Sequence, residues 1–459
     1  MMDNTRRHKR RPHPALQFRL PVFLILCLLL GGTSQNIVSP KLPLYLLSIL
    51  LITWVFIKTS LRDVMCTNRG FVAVFGLFFL ISALQLISMP PSLWSSLPGR
   101  GVIVDGFEAA KLPLPWLPIS MTPEQTFFSL FDFLPPAAMF LTAIHLAGKR
   151  EIKNAVYALL GFTAFAAILG FIQTVTKDVA LFPYDFTNFG KPVGLFSNAN
   201  HQATLLLMSL PFAVALMDLP RWGGRYTIAI PGTRTAAGLV LTVLFLIALA
   251  FSQSVAGLGL AAPALGLSVL TLWVFRTSRP RWLYKLPFAA ASIAIALSVF
   301  AITPLLQTFS HYMAAEKDMG RPELFTKAGT ATAEYFPFGS GLGSFKQVFP
   351  LFEDHAIISR TFAPHVHNDY LEIFIEFGLG GMLLIAVFLV LFILRFRSVL
   401  TSRVRSAETA AMAGVASLMV LIHSAVDFPL RTIAISALLA FCIALMRYRD
   451  DEKPANNFG

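Results

Sequence analysis

The chain runs to 459 residues, of which 56% are apolar and 13% charged, with a mean hydropathy of +0.67. Soluble domains carry roughly 45–50% apolar and about 25% charged residues, so a water-soluble globular protein is excluded. The net charge of +13, from 37 Lys and Arg against 24 Asp and Glu, sits in short clusters between long apolar runs, which is a mark of membrane topology and not of nucleic-acid binding. Cys27, Cys66 and Cys442 lie too far apart in sequence to suggest a disulfide framework or a Cys-rich metal site.

A bilayer-crossing helix takes about 20 predominantly apolar residues. Twelve stretches meet that requirement: 17–33, 41–57, 70–88, 126–147, 153–173, 201–217, 235–252, 255–275, 287–305, 370–394, 408–427 and 432–446. Runs such as 20–30 and 381–394 are continuously apolar, whereas a barrel strand would alternate. The expected fold is therefore an all-α polytopic membrane protein of about twelve transmembrane helices, a single integral membrane domain over 1–459.

Lys and Arg divide unequally between alternate connections. Segments 1–19, 58–69, 148–153, 219–234, 276–285, 395–405 and 447–453 hold 26, and the other set holds 11. The positive-inside rule then makes both termini cytoplasmic. The basic run before the first apolar stretch also fits a secretory signal peptide, but 31–36 lacks a small-x-small cleavage site, so the first span is expected to be retained. The long connections, 89–125, 174–200 and 306–369, fall on the outer side. Loops of such length are usually functional or disordered, and 306–369 is too rich in aromatic and apolar residues for disorder. An outward-facing site follows.

That loop runs through His365, His367, Asn368, Asp369, Glu372 and Glu376 directly into an apolar helix. An imidazole at the water–lipid boundary is suited to take a proton near neutral pH, which makes His367 a candidate base, although a histidine there also serves simply to end a loop. Asp369 and Glu372, three apart at a helix start, match a capping box and complement the helix dipole. Glu376 lies one turn deeper, where a carboxylate requires a cationic partner. Gly378, Gly380 and Gly381 read as points of close helix contact. His355, His365 and His367 could in principle ligate zinc, but no carboxylate or cysteine spacing supports it, and no metal is expected.

The outer cations are Arg321, Lys191 and Arg431; a guanidinium offers paired donors to phosphate oxygens, and a salt bridge to an acidic neighbour such as Asp427 or Glu376 is the competing use for each of the three. Pro322 suits the first position of a loop helix. The Gly-rich 339–345 lacks the Lys-Ser/Thr pair of a P-loop and reads as a tight turn. Residues 197–201, with Asn200, open a span and cap it.

His367 and Asn368, nine residues, then Gly378 and Gly381 give a spacing that resembles the O-antigen ligase/polymerase family of bacterial envelope glycosyltransferases. The Arg321 segment, the turn ending at Phe345, 194–206 and 423–431 extend the resemblance over roughly 190–446. It implies a GT-C-like enzyme of the bacterial inner membrane, active at the outer face and needing no cofactor, metal or nucleotide. The implied donor is a glycan on undecaprenyl pyrophosphate, and the acceptor a hydroxyl on a lipid core, another glycan or a protein. His367 would activate the acceptor, and Arg321 would hold the pyrophosphate. Asn368, Glu372, Glu376, Asn200 and Asp427 would support the site. Gln253 and Lys191 stand where members often carry arginine, which leaves Lys191 and Arg431 to complete the donor cations. The competing function is a twelve-span flippase or secondary transporter, against which the near absence of ionisable residues at mid-span counts.

Overall fold

A computed structural model describes residues 18–35, 38–66, 68–217, 232–276, 321–353, 364–402 and 407–447. Among these the principal helices are α1 (Arg19–Leu30), α2 (Val38–Lys58), α3 (Arg69–Leu84), α4 (Pro123–Phe131), α5 (Leu134–His145), α6 (Lys149–Thr176), α7 (Ala199–Ala215), α8 (Thr233–Phe251), α9 (Val255–Arg276), α10 (Arg321–Tyr335), α11 (Asp369–Leu400), α12 (Ala407–His423) and α13 (Ile433–Leu445). The described sheet is a two-residue antiparallel pairing of β1 (Ser88–Met89) with β2 (Leu117–Pro118).

Eleven of the twelve expected spans coincide with helices; 287–305 lies outside the described residues. Among the described residues, six segments are long and apolar enough to cross a membrane: Pro40–Lys58, Pro123–His145, Lys149–Thr176, Thr233–Phe251, Val255–Arg276 and Asp369–Leu400. Helices α1, α3, α12 and α13 are apolar but shorter. Pro123–His145 is interrupted between α4 and α5, and Asp132 at that break is held by Lys41 Nζ at 3.2 Å and by the Tyr45 hydroxyl at 2.6 Å.

Burial sorts the helices. In α7, α12 and α13 nearly every side chain is buried, as expected of helices that are apolar all round and sit inside a bundle. Helix α7 packs on α8, α9 and α12, and α13 packs on α5 and α12. By contrast, α8 and α11 leave rows exposed: Val240, Val243 and Ile247 on one, Leu383, Val387, Val390 and Leu394 on the other. These rows recur every three or four residues, so each forms one helix face. In water they would be an aggregation surface; in a bilayer they meet lipid.

Polar contacts gather at two poles of the bundle. At one, the N-terminus of α7 meets the C-terminus of α12 through Thr204 Oγ1 and His423 Nδ1 at 2.8 Å. At the other, Arg276 joins Glu408 at 2.7 Å and donates to the carbonyls of Ala215 and Met217.

Candidate active site

The first pole is built on the start of α11. Asn368 is its N-cap, its side chain accepting from Leu371 N at 3.0 Å. The expected cap is thus displaced by one residue, and with Leu371 at the third helical position the reciprocal half of a capping box is not formed. Asp369 instead accepts from Leu430 N, and Glu372 reaches back to Val366 N at 2.9 Å and to His365 Nδ1 at 2.8 Å. Asn368 takes the cap because its Nδ2 is also held by Ala425 O, which fixes the side chain beside the helix start.

Asp369, Glu372 and Glu376 share one face at helical spacing, and Arg431, from the turn after α12, lies against all three. Its Nη1 is 2.8 Å from Glu376 Oε2, and its Nε is 3.4 Å from Glu372 Oε1 and 3.9 Å from Asp369 Oδ1. Burial opposes the Arg431 charge, but the three carboxylates outweigh it and push the guanidinium above its usual range. This is the cationic partner that Glu376 requires, and it commits much of Arg431 to carboxylates.

His367 stands in the left-handed region, with φ 58°, which few residues other than glycine adopt. Its Nδ1 is 3.2 Å from Asp427 Oδ1, and its side chain is 27% exposed against 1% for Asp427. Asp427 Oδ1 also accepts from Phe428 N. Burial alone would raise the Asp427 carboxyl; the hydrogen bond and charge of His367 overcome this and hold it well below the usual carboxylate range. A carboxylate only accepts, so Nδ1–H donates to it; in the neutral ring Nε2 is then the nitrogen that carries the lone pair. Phe428 packs against three imidazoles, with ring centroids 4.4 Å from His365, 4.8 Å from His367 and 4.9 Å from His201.

The Gly-rich turn has a different use from anion binding. Helix α11 breaks at Gly378, φ 56°, which orphans nearby backbone groups. Ser340 N donates to Ile375 O at 2.9 Å, Gly341 N to Glu376 O at 3.0 Å, and Leu379 N to Pro337 O at 2.9 Å. Gln85 binds Glu376 O through Nε2 and accepts from Leu342 N, while Gly343 N donates to Glu376 Oε1. The turn is therefore a splint for a broken helix inside an apolar medium, where unpaired backbone groups are costly. Buried Arg100 completes it by donating to Ile119 O, Pro98 O and Gly339 O.

The remaining sequence candidates are more dispersed. Arg321 begins α10, whose Leu324, Ala328 and Ala331 pack in one cluster with Val366 and Ile375, so the loop helix is anchored beside the His367 segment; the Arg321 side chain and His355 lie outside the described residues. Lys191 is exposed on the loop before α7. Asn200 lies in the first turn of α7, where Asn198 is the cap, accepting from Asn200 N at 2.8 Å. Sequence reasoning gave no role to His201, Phe428, Gln85 and Arg100, which act through contacts remote in sequence.

A cavity of about 310 Å³ opens beside the ion cluster. Glu372, Glu376, Arg431, Gln35, Gln125 and Asp132 are among its lining residues. Three carboxylates, three glutamine amides and four hydroxyls supply its polar groups together with Lys346, Arg431 and His365, a lining suited to hydrogen-bonding hydroxyl groups.

Residues 240–386 match a family model described as O-antigen ligase, a segment that contains Arg321, His367 and the Gly378 break. The match supports the O-antigen ligase family and glycan transfer of the ligase/polymerase type by a helical membrane protein. No curated protein matches the chain.

Proposed function

We propose that the chain transfers a glycan from undecaprenyl pyrophosphate to an acceptor hydroxyl at the outer face of the bacterial inner membrane, with both termini cytoplasmic, as a GT-C-like enzyme. The observation that carries the site assignment is His367, partly exposed and backed through Nδ1 by buried Asp427. Nε2 takes the acceptor proton while the acceptor oxygen bonds to the anomeric carbon. The bond from that carbon to the pyrophosphate oxygen breaks, and undecaprenyl pyrophosphate leaves. Asp427 fixes the tautomer and stabilises the imidazolium as it forms, as a buried carboxylate behind a histidine base does.

The carboxylates are less suited to the base role, because Glu372 and Glu376 are already engaged by Arg431. The cavity beside them is assigned to sugar hydroxyls of the acceptor, which its amides, hydroxyls and carboxylates can hydrogen-bond. Donor phosphate contact is assigned to Arg321 and Lys191, with Arg431 contributing chiefly by ordering the acidic face. Asn368 supports the start of α11 beside the site, and Asn200 stands in the first turn of α7, which Asn198 caps.

Purified protein given a synthetic polyprenyl-pyrophosphate glycan should release polyprenyl pyrophosphate in step with glycan transfer. Acceptors offered in parallel are a lipid core, a second lipid-linked glycan and a protein. Arg321→Ala should lose far more turnover than Arg321→Lys, because lysine keeps the charge and loses only the paired donors. Transfer from a nucleotide sugar without polyprenyl pyrophosphate release would overturn the donor assignment, and equal wild-type turnover of both variants would remove Arg321.

A further inference from the structure

At the pole opposite His367 lies a second, larger cavity of about 620 Å³. It is formed where the C-termini of α5, α7, α9 and α13 meet the N-termini of α6, α8 and α12. Five basic residues line it, Lys149, Lys153, Arg234, Arg276 and Arg447, against one acidic residue, Glu408. Glu408 is bound by Arg276, which also caps the end of α7. The balance of formal charge on the lining is then five minus one, or +4.

The charge is not spread evenly. Along one face of α6 the lining runs from Lys149 and Lys153 to Val156 and Tyr157, with Ile152 between them, and Phe212 and Leu216 of α7 continue the apolar wall. Lys153 Nζ lies 5.5 Å from the centre of the Tyr157 ring, and Tyr157 is 40% exposed on a helix suited to cross the membrane. Cations at the helix start followed by apolar side chains one and two turns on reproduce the order of an anionic phospholipid, headgroup first and acyl chain after. A soluble anion would use the cations and leave the apolar wall unoccupied.

We propose that this cavity is a binding site for the headgroup and upper acyl chain of an anionic phospholipid in the leaflet opposite the transfer site. Basic pockets between transmembrane helices are suited to such headgroups. Binding joins the ends of seven helices, so the lipid ties the bundle together at the pole that His367 does not occupy.

The test is thermal unfolding of the detergent-purified full chain titrated with phosphatidylglycerol, phosphatidylcholine or inorganic phosphate. Phosphatidylglycerol should raise the melting temperature of the wild type and of Arg62→Gln, an exposed cation outside the cavity. Phosphatidylcholine and inorganic phosphate should not. The double variant Lys153→Gln, Arg234→Gln should need at least about tenfold more phosphatidylglycerol for the same shift, given the usual attraction of about fivefold per basic residue near an anionic surface. Both side chains are exposed, so the variant is expected to fold; native mass spectrometry of the wild type, with phosphatidylglycerol retained over phosphatidylcholine, supplies a readout independent of it. An equal shift by inorganic phosphate, an equal shift by phosphatidylcholine, or an unaltered response in the double variant would each overturn the proposal.

Discussion

Arg431 answers three carboxylates with one guanidinium, and its removal is more damaging than the removal of any one of them. Arg431→Ala leaves buried Asp369, Glu372 and Glu376 without their shared cation, and breaking a buried ion pair from one side costs about 3–5 kcal/mol. Glu376→Gln leaves Arg431 two carboxylates and should cost clearly less. Thermal unfolding of the two purified variants checks the order; an unchanged Arg431→Ala would mean that the cluster does not hold the site together. The carboxylates were legible in the sequence, because spacings of three and four place them on one helix face. That Arg431 would be their partner was one of two uses open to it. The contact between His367 and Asp427 was not legible at all, since 60 residues separate them and a short motif carries no information about which loop closes over it.

At the scale of the element, α11 shows what a spacing pattern hides. Three glycines near its start read alike as points of close packing, yet they differ in backbone. Gly378 has φ 56° and faces the Pro337 carbonyl and Gly339 N, whereas a Cβ on Gly380 would meet only the Ile81 side chain, at 3.6 Å at closest. An L-residue in the left-handed region costs roughly 1–2 kcal/mol, and Gly378→Ala adds a clash with the splinting turn. Gly378→Ala should therefore lower the melting temperature and the activity together, and Gly380→Ala should leave both near wild type. Equal behaviour of the two would show that the break is not maintained by Gly378. The apolar run announced the helix but not its break, because the signal for the break lies in the complementary turn 339–343, nearly forty residues earlier. The cap was read one residue late for a related reason: Asn368 and Asp369 are both good caps, and a contact with Ala425 decides between them.

At the scale of the whole molecule, hydropathy alone made the helical membrane architecture legible, since lipid and core both demand apolar side chains. It did not distinguish α12 and α13, buried on all sides, from α11, which faces lipid, because in a bilayer core and surface have the same composition. The orientation rests on the distribution of Lys and Arg, and exposed Cys66 tests it in the native sequence, with Cys27 and Cys442 buried. Cys66 should react with a membrane-impermeant thiol reagent only after permeabilisation of spheroplasts. A cysteine replacing exposed Gln347, in a Cys66→Ser background, should react without it. The reverse pattern would place the His367 pole in the cytoplasm. The central claim is that His367, held by Asp427, activates the acceptor for attack on a lipid-linked glycan. Its most direct test is glycan transfer from a polyprenyl-pyrophosphate donor by purified His367→Ala in proteoliposomes, with donor binding measured alongside. A general base is typically worth about 10²–10⁴-fold, so transfer should fall by that factor with donor binding retained, Asp427→Asn should fall in the same direction, and His365→Ala should keep most activity. A His367→Ala enzyme that transfers glycan at the wild-type rate would contradict the account.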